Sequence, residues 1–254
     1  MTVAMRVEAL GVRYGALVAL QDVSWHVAPG EILGIIGPNG AGKSSCYDAA
    51  THMTLRSGRV WLGDREVTGL PPHALAALGL KRAFQQNAFF TTMTVLDNMV
   101  AVLAREGGTG LLQSLAMPWR EARRRAALEQ EATAMLERFG VPHGMHALRP
   151  PNIPYGSQRM LSIALAFGRG AQVLMLDEPA AGLGGADMAH LAALLRRLRA
   201  EGVAIVLIEH HMDLVMSVAD RLLVLDQGRA LASGPPQQIQ NDPRVREAYL
   251  GQAA

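Results

Sequence analysis

An α/β fold, with helices packed on a mainly parallel sheet, is what this sequence predicts, and three observations carry the reading. Short apolar runs rich in Val and Ile recur at residues 32–36, 173–176, 203–208 and 222–225, each bounded by turn residues. Continuous runs of this length suit strands buried on both faces, as in a parallel sheet. Helical patterns lie between them, clearest over residues 188–199, where Leu and Ala recur at spacings of three and four. Alternation of the two signals along one chain implies helices covering a parallel sheet.

The elements follow in order. The first 65 residues read differently from the rest: VEALGVRYG, ALQDVSWHVAPG and GRVWLGDREV alternate polar with apolar and turn at Gly and Pro. They predict a small antiparallel β layer. The buried run at 32–36 leads into a glycine-rich turn and then a helix over SSCYDAA. From residue 94 to about 139 the strand signals vanish, and TVLDNMVAVLAR and REARRRAALEQEATAMLERFG predict helices, separated by EGGTG and LLQSLAMPW. Strand signals resume afterwards, so these helices are an insertion. A further helix is expected over MLSIALAF, and the turn-rich GPPQQIQNDP leads to a short terminal helix at 245–250. The expected organisation is a single domain, 1–254. Its α/β core and β layer take 1–85 and 160–240, a helical subdomain takes 86–159, and a tail takes 241–254.

Composition removes several function classes. Half of the 254 residues are hydrophobic and 18% are charged, which excludes wholesale disorder and supplies a sizeable core. Lys and Arg number 24 against 22 Asp and Glu, and a net charge of +2 is no electrostatic footprint for nucleic acid. The one cysteine, Cys46, excludes an internal disulfide and a multi-cysteine metal site. MTVAMRVEAL is interrupted by Arg6 and Glu8, unlike a signal peptide. No run approaches the roughly 18 apolar residues of a spanning helix. A cytoplasmic protein is expected.

The chemistry concentrates in two motifs. Gly37-Pro38-Asn39-Gly40-Ala41-Gly42-Lys43-Ser44, followed by Ser45, fills every fixed place of the phosphate-loop pattern, and it lies between a buried strand and a helix. Glycines let successive backbone N–H groups wrap phosphate oxygens, and the helix N-terminus adds a favourable dipole. Lys43 is expected on the β- and γ-phosphates and Ser44 on Mg²⁺. A metal-bound triphosphate needs a second ligand for the ion, and the apolar strand ending in Asp177-Glu178 supplies it. Asp177 is the expected Mg²⁺ ligand, acting through water, and Glu178 the expected general base for an attacking water.

With these two motifs and the helical insertion between them, the sequence resembles the ATPase subunits of ABC transporters along essentially its whole length. The resemblance implies a P-loop NTPase (RecA-like) core of ABC-ATPase type with an antiparallel β layer and an inserted helical subdomain. It implies ATP and Mg²⁺ as ligands. Gln85, in Arg82-Ala83-Phe84-Gln85, falls at the family's Q-loop glutamine, which contacts Mg²⁺ or the water. In Ile208-Glu209-His210-His211, His210 matches the switch histidine, and His211 reads as a neighbouring loop residue. Tyr14 matches the aromatic that stacks on adenine. Ala180-Ala181-Gly182-Leu183 resembles the D-loop, which passes between two ATPase halves. The family's signature aligns with Ile153-Pro154-Tyr155-Gly156-Ser157. There Tyr155, Gly156 and Ser157 would close over nucleotide bound to a partner subunit, but Pro154 replaces the family's serine and Ser157 its glutamine.

Tyr155 in the signature, the stretch from Glu178 to Leu183, the stretch from Glu209 to Met216, the insertion around 105–125 and the DPRVREAYLG ending narrow the resemblance. Together they are similar to the longer ATPase subunit of branched-chain amino acid importers, a class whose cargoes also include amides, urea and aromatic acids. Implied partners are membrane permease subunits, a second ATP-binding subunit (identical or not) and, indirectly, a periplasmic solute-binding protein. The implied location is peripheral, at the cytoplasmic face of the inner membrane. Two other readings share the motifs: an ATP-binding subunit of impaired hydrolysis working beside a more active partner, and an exporter-type ATPase. Within the insertion, Trp119 with Arg120, Arg123, Arg124 and Arg125 could meet a membrane surface, or else present an ordinary solvated helix face.

Overall fold

The computed structural model describes residues 3–106 and 118–250. They divide into two compact units, one made of 3–85, 171–182 and 191–250, the other of 86–106, 118–170 and 183–190. The helix expected to enter the core at residue 160 lies instead wholly in the second unit, because its apolar face packs on the two insertion helices. The described part of the tail expected at 241–254, residues 241–250, belongs to the first unit.

The first unit carries all the strands among the described residues. β1 (Met5–Tyr14), β2 (Leu17–Val27), β4 (Ser57–Leu62) and β5 (Arg65–Glu66) form an antiparallel sheet in the order β2-β1-β4-β5. Alternation explains the layer: along β2 the residues Leu20, Val23, Trp25 and Val27 are buried while their neighbours face outward. The second sheet has the order β10-β9-β3-β8-β7-β6. Its parallel strands are β3 (Ile32–Ile36), β6 (Leu80–Ala83), β7 (Val173–Asp177), β8 (Ala204–Ile208) and β9 (Arg221–Asp226), and β10 (Arg229–Gly234) pairs antiparallel at the edge. β3 and β8 are buried at every position, which accounts for their unbroken apolar sequence.

Short helices cover this unit: α1 (Lys43–Ala50), α2 (Pro72–Ala77), the later part of α6 (Gly185–Ala200), α7 (Met212–Val218), α8 (Pro236–Gln240) and α9 (Pro243–Leu250). In α6 the buried Leu191, Leu194, Leu195 and Leu198 trace one helical face. Cys46, on α1, is fully buried in the core of this unit. Burial pushes its thiol up to about 12, so it is an inert packing residue.

The second unit is helical: α3 (Val95–Glu106), α4 (Pro118–Arg138) and α5 (Tyr155–Phe167), with short 3₁₀ turns at His143–Met145 and Pro150–Asn152. Thr94 starts α3, its hydroxyl accepting the Asp97 N–H at 3.0 Å and donating to the Asp97 carboxylate at 2.7 Å. Val95, Met99 and Leu103 repeat every fourth residue and are fully buried. Leu136 and Phe139 of the α4 end and Met160, Ile163 and Phe167 of α5 complete this core, with the Phe139 and Phe167 rings 5.1 Å apart. Arg169 ties the unit together, pairing with Glu131 and donating to the Leu103 carbonyl at 2.7 Å. The apolar half of the insertion, 107–117, and the side chains of Trp119 and Arg120 lie outside the described residues. Among the described residues no helix is long and apolar enough to cross a membrane.

Candidate functional site

Sheet order does the assembling. β3, β8, β7 and β6 are consecutive parallel neighbours, with Ile35 beside Ile208, Asp177 beside Ile208, and Ala83 beside Leu176. Whatever follows each strand therefore emerges at one carboxyl edge, where parallel sheets bind ligands. Those followers are the glycine-rich loop after β3, Glu209-His210-His211 after β8, Glu178 after β7 and Gln85 after β6. Stretches far apart in sequence become one site.

The loop from Gly37 to Gly42 turns from β3 into α1. Gly37 has φ 153°, and a Cβ there would lie 2.2 Å from the Leu225 carbonyl oxygen. Gly42 has φ 98° at the α1 N-cap, and its Cβ would lie 2.6 Å from the Ala19 carbonyl oxygen. Both positions require glycine for backbone angle and for space. Pro38 and Ala41 are buried, Asn39, Gly40 and Ser44 are exposed, and Ser45 is half-buried. The ammonium of Lys43 donates to the Gly37 and Pro38 carbonyls at 2.7 and 2.9 Å, folded over the loop it closes. Burial lowers its pKa, while the charges of Glu178 and Asp177 act in the opposite sense.

A cleft of about 520 Å³ opens on this loop, lined among others by Tyr14, Val18, Gly40, Lys43, Ser44 and Glu178. Tyr14 ends β1, 48% exposed at the cleft wall, where a flat ring can stack on a base. Asn39, Gly40, Ala41, Gly42 and Ser45 line the cleft on the loop side.

The acid pair departs from ordinary carboxylate behaviour. Asp177 is pushed up to about 6, chiefly by burial and then by the Glu178 charge beside it. Two adjacent carboxylates with a nearby hydroxyl, Ser44, make a hard-oxygen set whose unfavourable charge a divalent cation would relieve. The residues fit Mg²⁺. Glu178 sits at φ 47°, in the left-handed region a glutamate rarely adopts. That geometry is fixed from three sides. Its N–H donates to the Ile208 carbonyl at 2.8 Å, its Oε2 accepts from Gln85 Nε2 at 2.9 Å, and its Oε1 lies 3.5 Å from His210 Nδ1. Glu178, Gln85 and His210 thus form one cluster.

Several supports of this site lie outside the two sequence motifs. Glu209 is fully buried at the end of β8. Its Oε1 accepts the Ala180 N–H at 2.7 Å, and its Oε2 accepts the His210 and His211 N–H groups at 3.1 and 3.2 Å. One carboxylate therefore fixes the loop after the acid pair and the histidine turn together. The Tyr47 hydroxyl donates to the carbonyls of Ala83 and Met175, tying α1 to β6 and β7 just before Gln85 and Asp177. Arg82 lies over the Tyr47 ring at 4.3 Å and donates to Asp48 at 2.7 Å and Thr51 at 2.5 Å. In the tail, the Tyr249 hydroxyl is hydrogen-bonded to the backbone of Gly37, and burial pushes its pKa up.

The remaining expected residues belong to the second unit. Pro154 occupies the α5 N-cap with φ −54° and ψ 148°, and offers no side-chain cap. Tyr155 is 46% exposed and its hydroxyl accepts from Arg159 at 3.1 Å; Ser157 is half-buried. Gly156 is buried, and a Cβ there would fall 2.3 Å from the Asp187 carboxylate, which would have to swing aside.

Comparison with known proteins places this arrangement. The family model described as ABC transporter matches residues 20–181, and the one described as Branched-chain amino acid ATP-binding cassette transporter matches residues 231–254. The chain is 39% identical to the high-affinity branched-chain amino acid transport ATP-binding protein LivG of Escherichia coli, over 98% of both chains. It is 37% identical, over 98% of both, to the corresponding protein BraF of Pseudomonas aeruginosa. Among solved structures, the ADP conformation of an ATP-binding cassette of an ABC transporter superposes with a TM-score of 0.83 at 27% identity, covering 99% of both chains. A phosphate loop, an acid pair, a glutamine and a histidine converge at one strand edge, and a family match spans most of the chain. The chain belongs to the ABC transporter family, as an ATPase of the ABC type.

Proposed function

We propose that this chain hydrolyses Mg-ATP to drive import of branched-chain amino acids, or of a related small polar or aromatic solute, by pairing with a second ATP-binding subunit. The observation that carries the catalytic reading is the cluster around Glu178, held between Gln85 and His210 beside the lysine-closed loop. The importer reading is supported by the tail match and by the full-length likeness to the LivG and BraF proteins.

In this reading Tyr14 receives the adenine and the loop N–H groups between Gly37 and Ser45, Pro38 excepted, wrap the phosphates. Lys43 exchanges its two carbonyl partners for phosphate oxygens, a charge-assisted contact. Ser44, Asp177 and Gln85 would hold Mg²⁺, which when bound neutralises charge developing on the β- and γ-phosphates. Glu178 accepts the proton of the attacking water, and its strained backbone aims the carboxylate toward the cleft. His210 donates to the γ-phosphate and reports its loss. The exposed Tyr155 with Gly156 and Ser157, at the start of α5, closes over the nucleotide of the partner subunit. The chain then works peripherally, held at the cytoplasmic face of the membrane by permease subunits and served by a solute-binding protein.

Proteoliposomes containing the chain with its permeases and binding protein test this reading. ATP-dependent accumulation of labelled leucine, or of an amide, urea or aromatic acid, is expected. Absence of uptake for the whole set, with export of a lipid instead, would replace the importer by the exporter reading.

The signature departure has its own expected outcome. Pro154 lacks the hydroxyl that could reach a phosphate across a dimer, and a hydrogen bond to a charged group contributes about 1.5–3 kcal/mol. A serine at this N-cap would also satisfy an orphan N–H of α5. Pro154→Ser is therefore expected to raise homodimer ATPase activity, by about tenfold for each 1.4 kcal/mol recovered at the transition state. An unchanged or lower steady-state rate would make Pro154 a helix-start device, since proline's fixed φ suits that position.

A further inference from the structure

We propose that the histidine turn after β8 binds a borderline-soft divalent transition ion, Zn²⁺ foremost, at a position chemically distinct from the hard-oxygen Mg²⁺ ligands. Glu209, His210 and His211 each offer one ligand atom, and these atoms lie within 4.8 Å of one another. Two imidazoles with one carboxylate suit zinc, whereas Mg²⁺ prefers oxygen donors. The second imidazole makes the set. His211 stands at the α7 N-cap without a side-chain cap bond, so its ring is not tied to that helix start. It faces His210 with centroids 4.3 Å apart and planes 35° from parallel.

The geometry needs only a small adjustment. Zinc–nitrogen bonds of about 2.0–2.1 Å place two ligand atoms roughly 3.3 Å apart in a tetrahedron. His210 Nδ1 is already 4.0 Å from Glu209 Oε2 and 3.5 Å from Glu178 Oε1. The His210 side chain is half exposed and His211 half-buried, which leaves both rings room to turn. Glu209 is the fixed partner. A carboxylate has about four acceptor sites, and three of Glu209's are taken by backbone N–H groups. One lone pair on Oε1 remains, so zinc would take Oε1 directly or displace one of the two N–H groups from Oε2, the oxygen nearer His210. Buried carboxylates are ordinarily paired or metal-bound, and the imidazole beside this one is that of His210. Zinc bound here would hold His210 away from a nucleotide and so inhibit turnover. That consequence rests on the proposed role of His210; the binding itself does not.

Calorimetric titration of ZnCl₂ into the full chain, without nucleotide or Mg²⁺, tests the binding directly. One equivalent is expected to bind, and His211→Ala is expected to weaken it by at least about tenfold, the lower end for perturbing a metal's support. The same variant should keep wild-type Mg-ATPase activity in zinc-free buffer that contains Mg²⁺, and require correspondingly more added Zn²⁺ for inhibition. Should His211→Ala fail to fold, His211→Gln carries the same expectation. Unchanged Zn²⁺ affinity in a folded His211 variant overturns the site. So does binding that disappears only in Ser44→Ala/Asp177→Asn, which would put the ion among the oxygen ligands.

Discussion

Glu178→Gln is expected to retain ATP, accumulate an ATP-bound dimer and lose turnover by about 10²–10⁴-fold, the range a general base contributes. The amide is isosteric with the carboxylate, so the hydrogen bond from Gln85 survives through the remaining carbonyl oxygen. The substitution removes a negative charge that now raises the Asp177 pKa. Nucleotide affinity should therefore hold or improve while proton abstraction fails. Separating the two needs binding and single-turnover measurements on the same preparation. A rate near wild type with binding intact would move the base to His210, whose Nδ1 is 3.5 Å from the same carboxylate. Gln85→Ala makes a useful contrast. It leaves the base in place but frees one side of its carboxylate and removes one proposed Mg²⁺ ligand, so its effect on the rate should be smaller than that of Glu178→Gln and should be joined by a modest loss of Mg-ATP affinity.

How much of this was legible in the sequence varies with the physical origin of each feature. Strands buried on both faces announce themselves, because nothing polar can survive there; β3, β7 and β8 coincide with the apolar runs at 32–36, 173–176 and 203–208 to within a residue or so. β6 does not, since Leu80-Lys81-Arg82-Ala83 carries two charges in a four-residue strand. The charges are tolerated for reasons only the fold reveals: Arg82 reaches Asp48 and Thr51 on α1. α2, α7 and α8 are five to seven residues long, too short for a helical period to stand out. The division of the chain at residue 160 was misplaced because α5 has an apolar face suited equally to a sheet or to other helices.

The candidate site shows the same split. Its loop and acid pair are readable because the chemistry dictates residue types at fixed spacing. The hydrogen bond from Gln85 to Glu178, the left-handed backbone of Glu178 and the three-way bond acceptance by Glu209 depend on strand order, which no local pattern encodes. A signal existed for Glu209, an acid ending a strand buried at every position, where an ionisable group must have a structural reason. Tyr47 had none: an aromatic on a buried helix face reads as packing until its hydroxyl is seen to bridge two strands.

Lys43→Ala is expected to lower Mg-ATP affinity by at least about a hundredfold, equivalent to roughly 2.7 kcal/mol, while leaving the fold unchanged. The lysine is only 9% exposed, yet its burial comes from folding over the phosphate loop rather than from packing in the core. Truncation removes the donor to the Gly37 and Pro38 carbonyls, but the loop borders an open cleft and water can take its place. The loss of stability should therefore be small, within about 1 kcal/mol of an ordinary hydrogen bond. Binding loses far more, because the ammonium is the one cation of the loop and the neighbouring Asp177 and Glu178 repel a triphosphate. Lys43→Arg should not restore affinity, since a planar guanidinium cannot replace a compact ammonium bonded to two carbonyls within one tight turn. Calorimetric titration with Mg-ATP, beside circular dichroism and thermal melts of the same samples, reads both quantities. Wild-type affinity in a folded Lys43→Ala protein would show that the loop amides alone hold the phosphates, and the assignment of Lys43 to the nucleotide would fall.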